Sequence, residues 1–325
     1  MRKIVPLGGL ALALVASAAF LWGQSLSSAK SSDVGSLATL ELRPLQQTGS
    51  PGKLRSAKLG IPEPVTPDAM MVYRVVDPQV TTASAEREAK KFGVTGKARK
   101  DDALTSVKGS AANVVVDNDT GSVNWITPDY EQAVAPIENR LPDGQYIALA
   151  EEFLKGKGHF GADYEFTGIG QCTADGRPVM VEVSFGRKLN GLRWQGVGPK
   201  KTVAFGEDGK ILAMFSVWRE VEPMTTYPLI RVSEALSQVE AGDASVFSDD
   251  SNADGTVTSV EIVYISDPAG SKQKFVVPHY RLEGKTASGK PFCAITRAIP
   301  RKYVDEKPRD LPDTGAPAPT TGRTE

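Results

Sequence analysis

The stretch VMVEVSFGRKLNGL, from Val179 to Leu192, sets the expectation for the fold. Apolar residues occupy every second position from Val179 to Phe185, which is the period of a strand with one face on a core. Asn190-Gly191 then provides a pair that favours a tight hairpin turn. The stretch therefore predicts an antiparallel strand that is covered by a helix on one face.

The same plan, a short helix followed by strands, occurs three times between Met70 and Asp305. The predicted helices are Ser84–Phe92, with Ser84 as N-cap and Gly93 as stop, Asp143–Lys157 and Val232–Ala241. The predicted strands are Met70–Val76, Leu104–Lys108, Ala112–Asp117, Ser122–Thr127, Tyr164–Thr173, Val179–Leu189, Lys201–Phe205, Lys210–Arg219, Val257–Ser266, Phe275–Glu283 and Lys290–Ile299. Hairpin turns link these strands, among them Asp175-Gly176, Asn190-Gly191 and Glu207-Asp208-Gly209. The fold class is therefore α+β, built from repeated helix-plus-antiparallel-meander modules, and a doubly wound nucleotide fold is disfavoured.

The domain boundaries follow from this plan. Residues 70–140, 141–222 and 223–305 are predicted to form three α+β modules. Residues 30–69 are rich in Ser, Thr, Pro and Gly and predict a disordered tether. Residues 306–325 predict a disordered tail. The pentapeptide Leu311-Pro312-Asp313-Thr314-Gly315 in that tail fits the LPxTG signal of sortase-anchored proteins, but neither an apolar segment nor a basic end follows it, so we treat it as a chance match.

The first 29 residues have the pattern of an export signal. Arg2 and Lys3 precede an uncharged apolar run from Ile4 to Trp22, whose length lies between that of a signal-peptide core and that of a spanning helix. Cleavage after Ala29 and retention as a membrane anchor therefore both remain open. Either outcome predicts an extracytoplasmic protein, secreted or tethered through residues 4–22.

Composition excludes several classes of function. The chain has 325 residues with 38 basic and 39 acidic side chains, and this balance lacks the cationic excess that nucleic-acid binding uses. Two cysteines cannot form a thiolate zinc site of the usual four-ligand kind, and two histidines, His159 and His279, leave little for imidazole chemistry. Gly156–Gly161 fits GxGxxG, but it follows a helix, so it indicates helix termination and makes His159 a loop histidine. No spaced set of acid, base and nucleophile is present, so an enzyme is not predicted.

One segment fits the calcium-loop pattern D-x-[DN]-x-[DN]-G-x5-E. The predicted oxygen donors are Asp250, Asn252, Asp254, the Thr256 carbonyl and Glu261. The pattern has an alternative explanation, because Val260–Ile265 has strand character where an EF-hand has its second helix, and Asp and Gly also suit an ordinary turn. Calcium is the only cofactor that the sequence suggests.

The two cysteines, Cys172 and Cys293, have two candidate roles. Outside the cytoplasm they would form a disulfide that closes a long loop. The alternative is a pair of buried thiols that behave as small apolar residues.

Three segments resemble a known family. They are Phe185–Leu236, with Leu189-Asn190-Gly191-Leu192 and Tyr227-Pro228-Leu229-Ile230-Arg231, the strands Val260–Tyr264 and Val276–Leu282, and Lys90–Gly96 before Ala112–Asp117. They are similar to the cystatin-like modules of the PepSY, propeptide and YycH/YycI group, whose members restrain peptidases or modulate sensor kinases outside the membrane.

This resemblance implies an exported noncatalytic binding protein of the bacterial cell envelope, which regulates or inhibits an extracytoplasmic partner such as a sensor kinase or peptidase. The alternative function is a calcium-stabilised structural protein of the cell envelope.

Overall fold

The computed structural model of the protein describes residues 37–44, 51–133, 135–196, 198–250, 252–267 and 271–306. The predicted export segment and the LPxTG match lie outside the described residues, as does the predicted tail apart from Glu306. The described residues from Ala38 onward belong to one compact unit. Among the described residues, no helix combines the length and the apolar character that crossing a bilayer requires.

Four α-helices are described. They are α1 (Thr82–Lys91), α2 (Pro128–Glu131), α3 (Asp143–Gly156) and α4 (Val232–Ala241). The prediction that Ser84 caps α1 was wrong by three residues: Thr81 is the N-cap, and Ser84 completes a capping box with it. Gly93 and Gly158 have positive φ angles after α1 and α3, which confirms that glycines terminate both helices.

The described strands include every strand that the sequence predicted. They are β1 (Leu40–Leu42), β2 (Pro51–Gly52), β3 (Leu54–Leu59), β4 (Ala69–Val75), β5 (Ala98–Lys100), β6 (Leu104–Lys108), β7 (Asn113–Asp117), β8 (Val123–Ile126), β9 (Tyr164–Ala174), β10 (Arg177–Leu189), β11 (Leu192–Gly196), β12 (Lys200–Phe205), β13 (Ile211–Val217), β14 (Val221–Pro228), β15 (Ser245–Ser248), β16 (Ala253–Ser266), β17 (Phe275–Val276), β18 (Pro278–Thr286), β19 (Pro291–Arg297) and β20 (Val304–Glu306). The fold is α+β, with antiparallel pairing predominant.

The first half of the molecule contains eight antiparallel strands in the order β5-β6-β7-β8-β13-β12-β10-β9. Helices α1 and α3 cover one face, and their apolar residues share a core with alternate residues of the strands. Val181, Val183 and Phe185 are fully or almost fully buried in that core, as their spacing predicts. Because β8 pairs with β13, the sheet is continuous across the predicted boundary at residue 140.

The second half is a sheet in the order β2-β15-β19-β18-β16, with α4 packed on it. Strands β16, β18 and β19 are antiparallel neighbours, but β15 pairs with β19 and not with β16, which follows it in the chain. Strand β11 pairs in parallel with β16 from Trp194 to Gly196. This pairing crosses the predicted boundary at residue 222 and joins the two halves.

The prediction of a disordered tether over residues 30–69 was wrong for residues 40–42, 51–52 and 54–59, which form β1, β2 and β3. Strand β3 pairs in parallel with β16, and Leu54 and Ala57 are buried in the core beneath α4. Burial of these apolar side chains offsets the entropy of ordering a segment whose composition alone favours disorder. Strand β4, the predicted first strand of module one, also pairs elsewhere, between β14 and β17.

The predicted turns at Asp175, Asn190 and Asp208 are confirmed. Asp175, Asn190 and Asp208 have positive φ angles, as do the glycines that follow them. Asparagine, aspartate and glycine tolerate this region better than other residues. These pairs therefore fix where β9, β10 and β12 reverse.

Candidate functional site

Strand β9 is the longest edge strand that the structure describes. It pairs with β10 from Tyr164 to Ala174, and no described strand pairs with its other side. An edge of this kind presents backbone N–H and C=O groups that another chain can bind. The run from Phe166 to Ala174 contains no charged residue and no proline, two of the features that usually keep edges from pairing, and a bulge at Thr167 interrupts its ladder with β10.

The other described edge strands are protected by shortness, charge or proline. Four of them, β1, β2, β17 and β20, have only two or three residues. The protecting residues on the remaining edges are Arg55 and Lys58 on β3, Arg99 and Lys100 on β5, and Pro223 and Pro228 on β14. Strand β9 is thus the exception among the described edges.

Two glycines in β9 are not required by the described chain. A Cβ atom at Gly168 or Gly170 would meet no heavy atom within 4 Å, whereas one at Gly284 would lie 2.1 Å from the Thr256 carbonyl oxygen. Neither Gly168 nor Gly170 has a positive φ. Glycine inside a strand often marks a place where another group approaches closely, and here the described chain supplies no such group.

The two faces of β9 differ in chemistry. On the helix-covered face, Phe166 is 46% exposed, and its ring centroid lies 6.2 Å from that of Phe185. Ile169 packs against the core on the same face. The opposite face carries Cys172 and, on β10, Glu182. The edge therefore has an apolar side and a polar side.

A buried chain of charged and polar groups lies beside the start of β9. His159 Nε2 is 2.6 Å from Glu88 Oε1, and Lys201 Nζ is 3.1 Å from His159 Nδ1. Because a carboxylate only accepts and an ammonium only donates, the network assigns the imidazole proton to Nε2, and Nδ1 accepts from Lys201. The chain joins α1, the loop after α3 and β12.

Burial and charge shift all three pKa values. Burial alone would raise the pKa of Glu88, but hydrogen bonds from His159 and Lys91 outweigh it and lower that pKa to about 2. Burial lowers the pKa of His159 against the opposing effect of Glu88, and the Lys201 ammonium lowers it further. Burial also lowers the pKa of Lys201 to about 8. At neutral pH the chain therefore consists of an anion, a neutral imidazole and a cation.

Aromatic rings surround the cationic end of this chain. Lys201 Nζ lies 4.7 Å from the Trp218 ring centroid and 5.2 Å from that of Tyr164. The Tyr164 and Trp218 rings stack with centroids 4.4 Å apart. Arg187 lies over Trp218 at 4.8 Å and donates a 2.8 Å hydrogen bond to Asp163. Since Tyr164 is the first residue of β9, these cation–π contacts fix the position of the edge strand.

The structure carries Glu261 away from the other four residues of the predicted calcium loop. Arg55 and Ser56 hold the Asp254 carboxylate, while Thr286 and Ser288 donate to Asp250. Ala253–Ser266 is one strand, so Glu261 lies about 23 Å along it from Asp254. Within the described ranges, no three His, Cys, Asp or Glu side chains are grouped to hold a metal. The five predicted ligands therefore do not form one site, because the exiting element is a strand.

Calcium should leave the melting temperature of the protein unchanged. The Asp254 carboxylate is already engaged by Arg55 and Ser56, and that of Asp250 by the hydroxyl groups of Thr286 and Ser288, so calcium would have to displace these partners. Differential scanning fluorimetry with and without millimolar calcium measures this, with magnesium as the control. A calcium-specific rise that Asp254→Ala abolishes would contradict the expectation.

The predicted disulfide is not formed in the structure. Cys172 lies on β9 and Cys293 on β19, and both thiols are free. Cys172 is a partner of Glu182: burial raises the pKa of its thiol, and the Glu182 carboxylate raises it further. Cys293 contacts Arg281, and burial raises its pKa against the effect of that cation. The strand order separates the two sulfur atoms.

Sequence reasoning missed the central residues of this region. The stretch Tyr164–Thr173 was predicted as a strand, but no local signal showed that it lies at an edge. His159 was interpreted as a loop histidine, and Lys201 was not selected. Residues 88, 159 and 201 are brought together only by packing of α1 and α3 on the sheet.

Comparison with known proteins does not identify a family for this chain. No family model and no curated protein matches the chain. Among solved structures, the chain is similar to an uncharacterized protein from Eubacterium rectale ATCC 33656, with a TM-score of 0.44 and 10% sequence identity. The match covers 73% of this chain and 86% of that one.

Proposed function

We propose that the protein is an exported noncatalytic binding protein that accepts an extended segment of an extracytoplasmic partner protein along the free edge of β9. Such strand addition takes its affinity from backbone hydrogen bonds and its specificity from alternate side chains. The single observation that carries the proposal is the eleven-residue edge strand, whose run from Phe166 to Ala174 has neither the charges nor the prolines found on the other long described edges.

The resemblance to exported regulatory modules supports the same role. We infer that α1 with β5–β8, and α3 with β9–β13, are related helix-plus-meander modules, and that the partner is a regulated protein such as a sensor kinase or peptidase. Placement outside the cytoplasm follows from the export pattern of the first 29 residues.

A photocrosslinking amino acid at Gln171 tests the proposal in intact cells that carry the full chain. Gln171 is exposed on β9, whereas Lys285, the control position, is exposed on β18 between two paired strands. We expect one protein to crosslink at position 171 and not at 285, and mass spectrometry identifies it.

The variant Gly170→Lys should abolish this crosslink. A Cβ fits at Gly170 without contact, so the fold is retained while a lysine protects the edge. The matched control, Asn113→Lys, adds the same charge to β7, which is paired on both sides. Crosslinking at position 171 that persists in Gly170→Lys would contradict strand addition at β9.

A further inference from the structure

The two glycines of β9 open a path from the edge to a carboxylate. Gly170 lies directly opposite Glu182 on β10, and Gly168 lies opposite Ser184. Val181 and Val183 point into the helix-covered core, so Glu182 and Ser184 point to the other face. With no side chain at Gly170, the position on β9 directly opposite Glu182 leaves a path from the outer edge to that carboxylate, beside Cys172.

Glu182 has no cationic partner among the described residues. It is half-buried, and the Cys172 thiol is its neighbour on the same face of the sheet. Its neighbour on the other side, Ala204 of β12, is buried and apolar. Charge complementarity at the open edge therefore favours a cation supplied from outside the chain.

The spacing of strands allows that cation to come from an added strand. Neighbouring strands lie about 4.8 Å apart, so a residue facing Gly170 on an added strand would have its Cα about 9.6 Å from that of Glu182. An extended lysine or arginine and a glutamate together span this distance. On the helix-covered face, the residues before and after the basic one would face Ile169 and Gln171, and Phe166 lies farther along the edge.

We propose that the segment bound by β9 carries a lysine or arginine opposite Gly170, whose cation reaches Glu182 across the glycine, and an adjacent apolar residue that packs against Ile169 on the helix-covered face. This inference rests on the proposed function and names the chemistry of the partner: an extended segment that alternates basic or polar residues with apolar ones. Glu182 then selects for a basic residue on the bound segment, and the absence of a side chain at Gly170 lets that residue reach Glu182.

Binding of synthetic peptides to the full chain tests the inference. The probe is a labelled peptide of alternating threonine and valine with one central lysine, and its counterpart has glutamate at that position. Fluorescence anisotropy should show about tenfold tighter binding of the lysine peptide. Glu182→Gln should remove most of this preference, whereas Glu222→Gln, the control at an exposed position of β14, should retain it.

The outcomes separate this inference from the proposed function. Equal binding of both peptides, blocked by Gly170→Lys, overturns the role of Glu182 and leaves strand addition at β9 intact. Absence of binding, together with a dimer in sedimentation that Gly170→Lys dissociates, means that a second copy occupies the edge and overturns the inference. A preference for lysine that survives Glu182→Gln also overturns it.

Discussion

Acidification from pH 7 to pH 4 is expected to lower the free energy of unfolding by about 3 kcal/mol through His279 alone. His279 is 4% exposed on β18, with Nδ1 donating a 2.9 Å hydrogen bond to the Val277 carbonyl. Burial lowers its pKa to about 3, and the charge of Arg297 contributes to the shift. Below the ordinary histidine pKa, the unfolded chain binds a proton at His279 that the folded protein does not bind. The contribution of His279 to stability is therefore fully present above that pKa and is lost as the pH falls towards 3.

Urea unfolding across this pH range measures the effect. His279→Asn keeps a side-chain donor near the position of Nδ1 but does not titrate, so its stability should vary less with pH than that of the wild type. His159→Gln is the companion variant: the pKa of His159 is also lowered, so it contributes in the same direction below its ordinary pKa. A slope that is unchanged in His279→Asn would show that another group causes the acid sensitivity.

Glu88→Ala is expected to destabilise the protein by about 3 kcal/mol at neutral pH. The substitution removes the acceptor of His159 and the nearest carboxylate to Lys201, which is 4% exposed. The buried Lys201 ammonium then has no Glu88 carboxylate to offset its desolvation, and the buried N–H of His159 loses its hydrogen-bond acceptor. Lys91, the other partner of Glu88, is exposed and contributes little.

Lys201→Met should cost much less, about 1 kcal/mol or below. Methionine fills a similar volume between Tyr164 and Trp218, and Glu88 keeps its contacts with His159 and Lys91. In the background of Lys201→Met, Glu88→Ala should lower the free energy of unfolding by less, because no buried cation is left without its carboxylate partner. Urea denaturation of the four proteins gives the coupling energy. Additive losses would mean that Glu88 and Lys201 do not act through one chain.

Local chemistry determined much of the fold. Helix α4 was predicted with both of its ends, because an amphipathic pattern and a following glycine define it within ten residues. The reversals at Asp175, Asn190 and Asp208 were also predicted, since positive φ angles favour these residue types wherever they occur. Such features depend on neighbours in sequence, which a single chain displays.

The calcium loop shows where local reading fails. Its pattern specifies which oxygens are present but not the element that follows, and a strand carries Glu261 away from Asp254. The prediction of a disordered tether was wrong for a related reason. Residues 54–59 are ordered because they pair with β16, which lies about 200 positions later in the chain.

The sequence by itself determined the α+β class, the turns and the alternation of buried and exposed residues, because these follow from backbone preference and from period. Only the tertiary structure decided that β9 is an edge, that Gly170 opens towards Glu182, and that Glu88, His159 and Lys201 form one buried chain. The physical reason is that strand order and the packing of helices on a sheet depend on contacts between distant residues. Such contacts leave no mark in any short stretch of sequence.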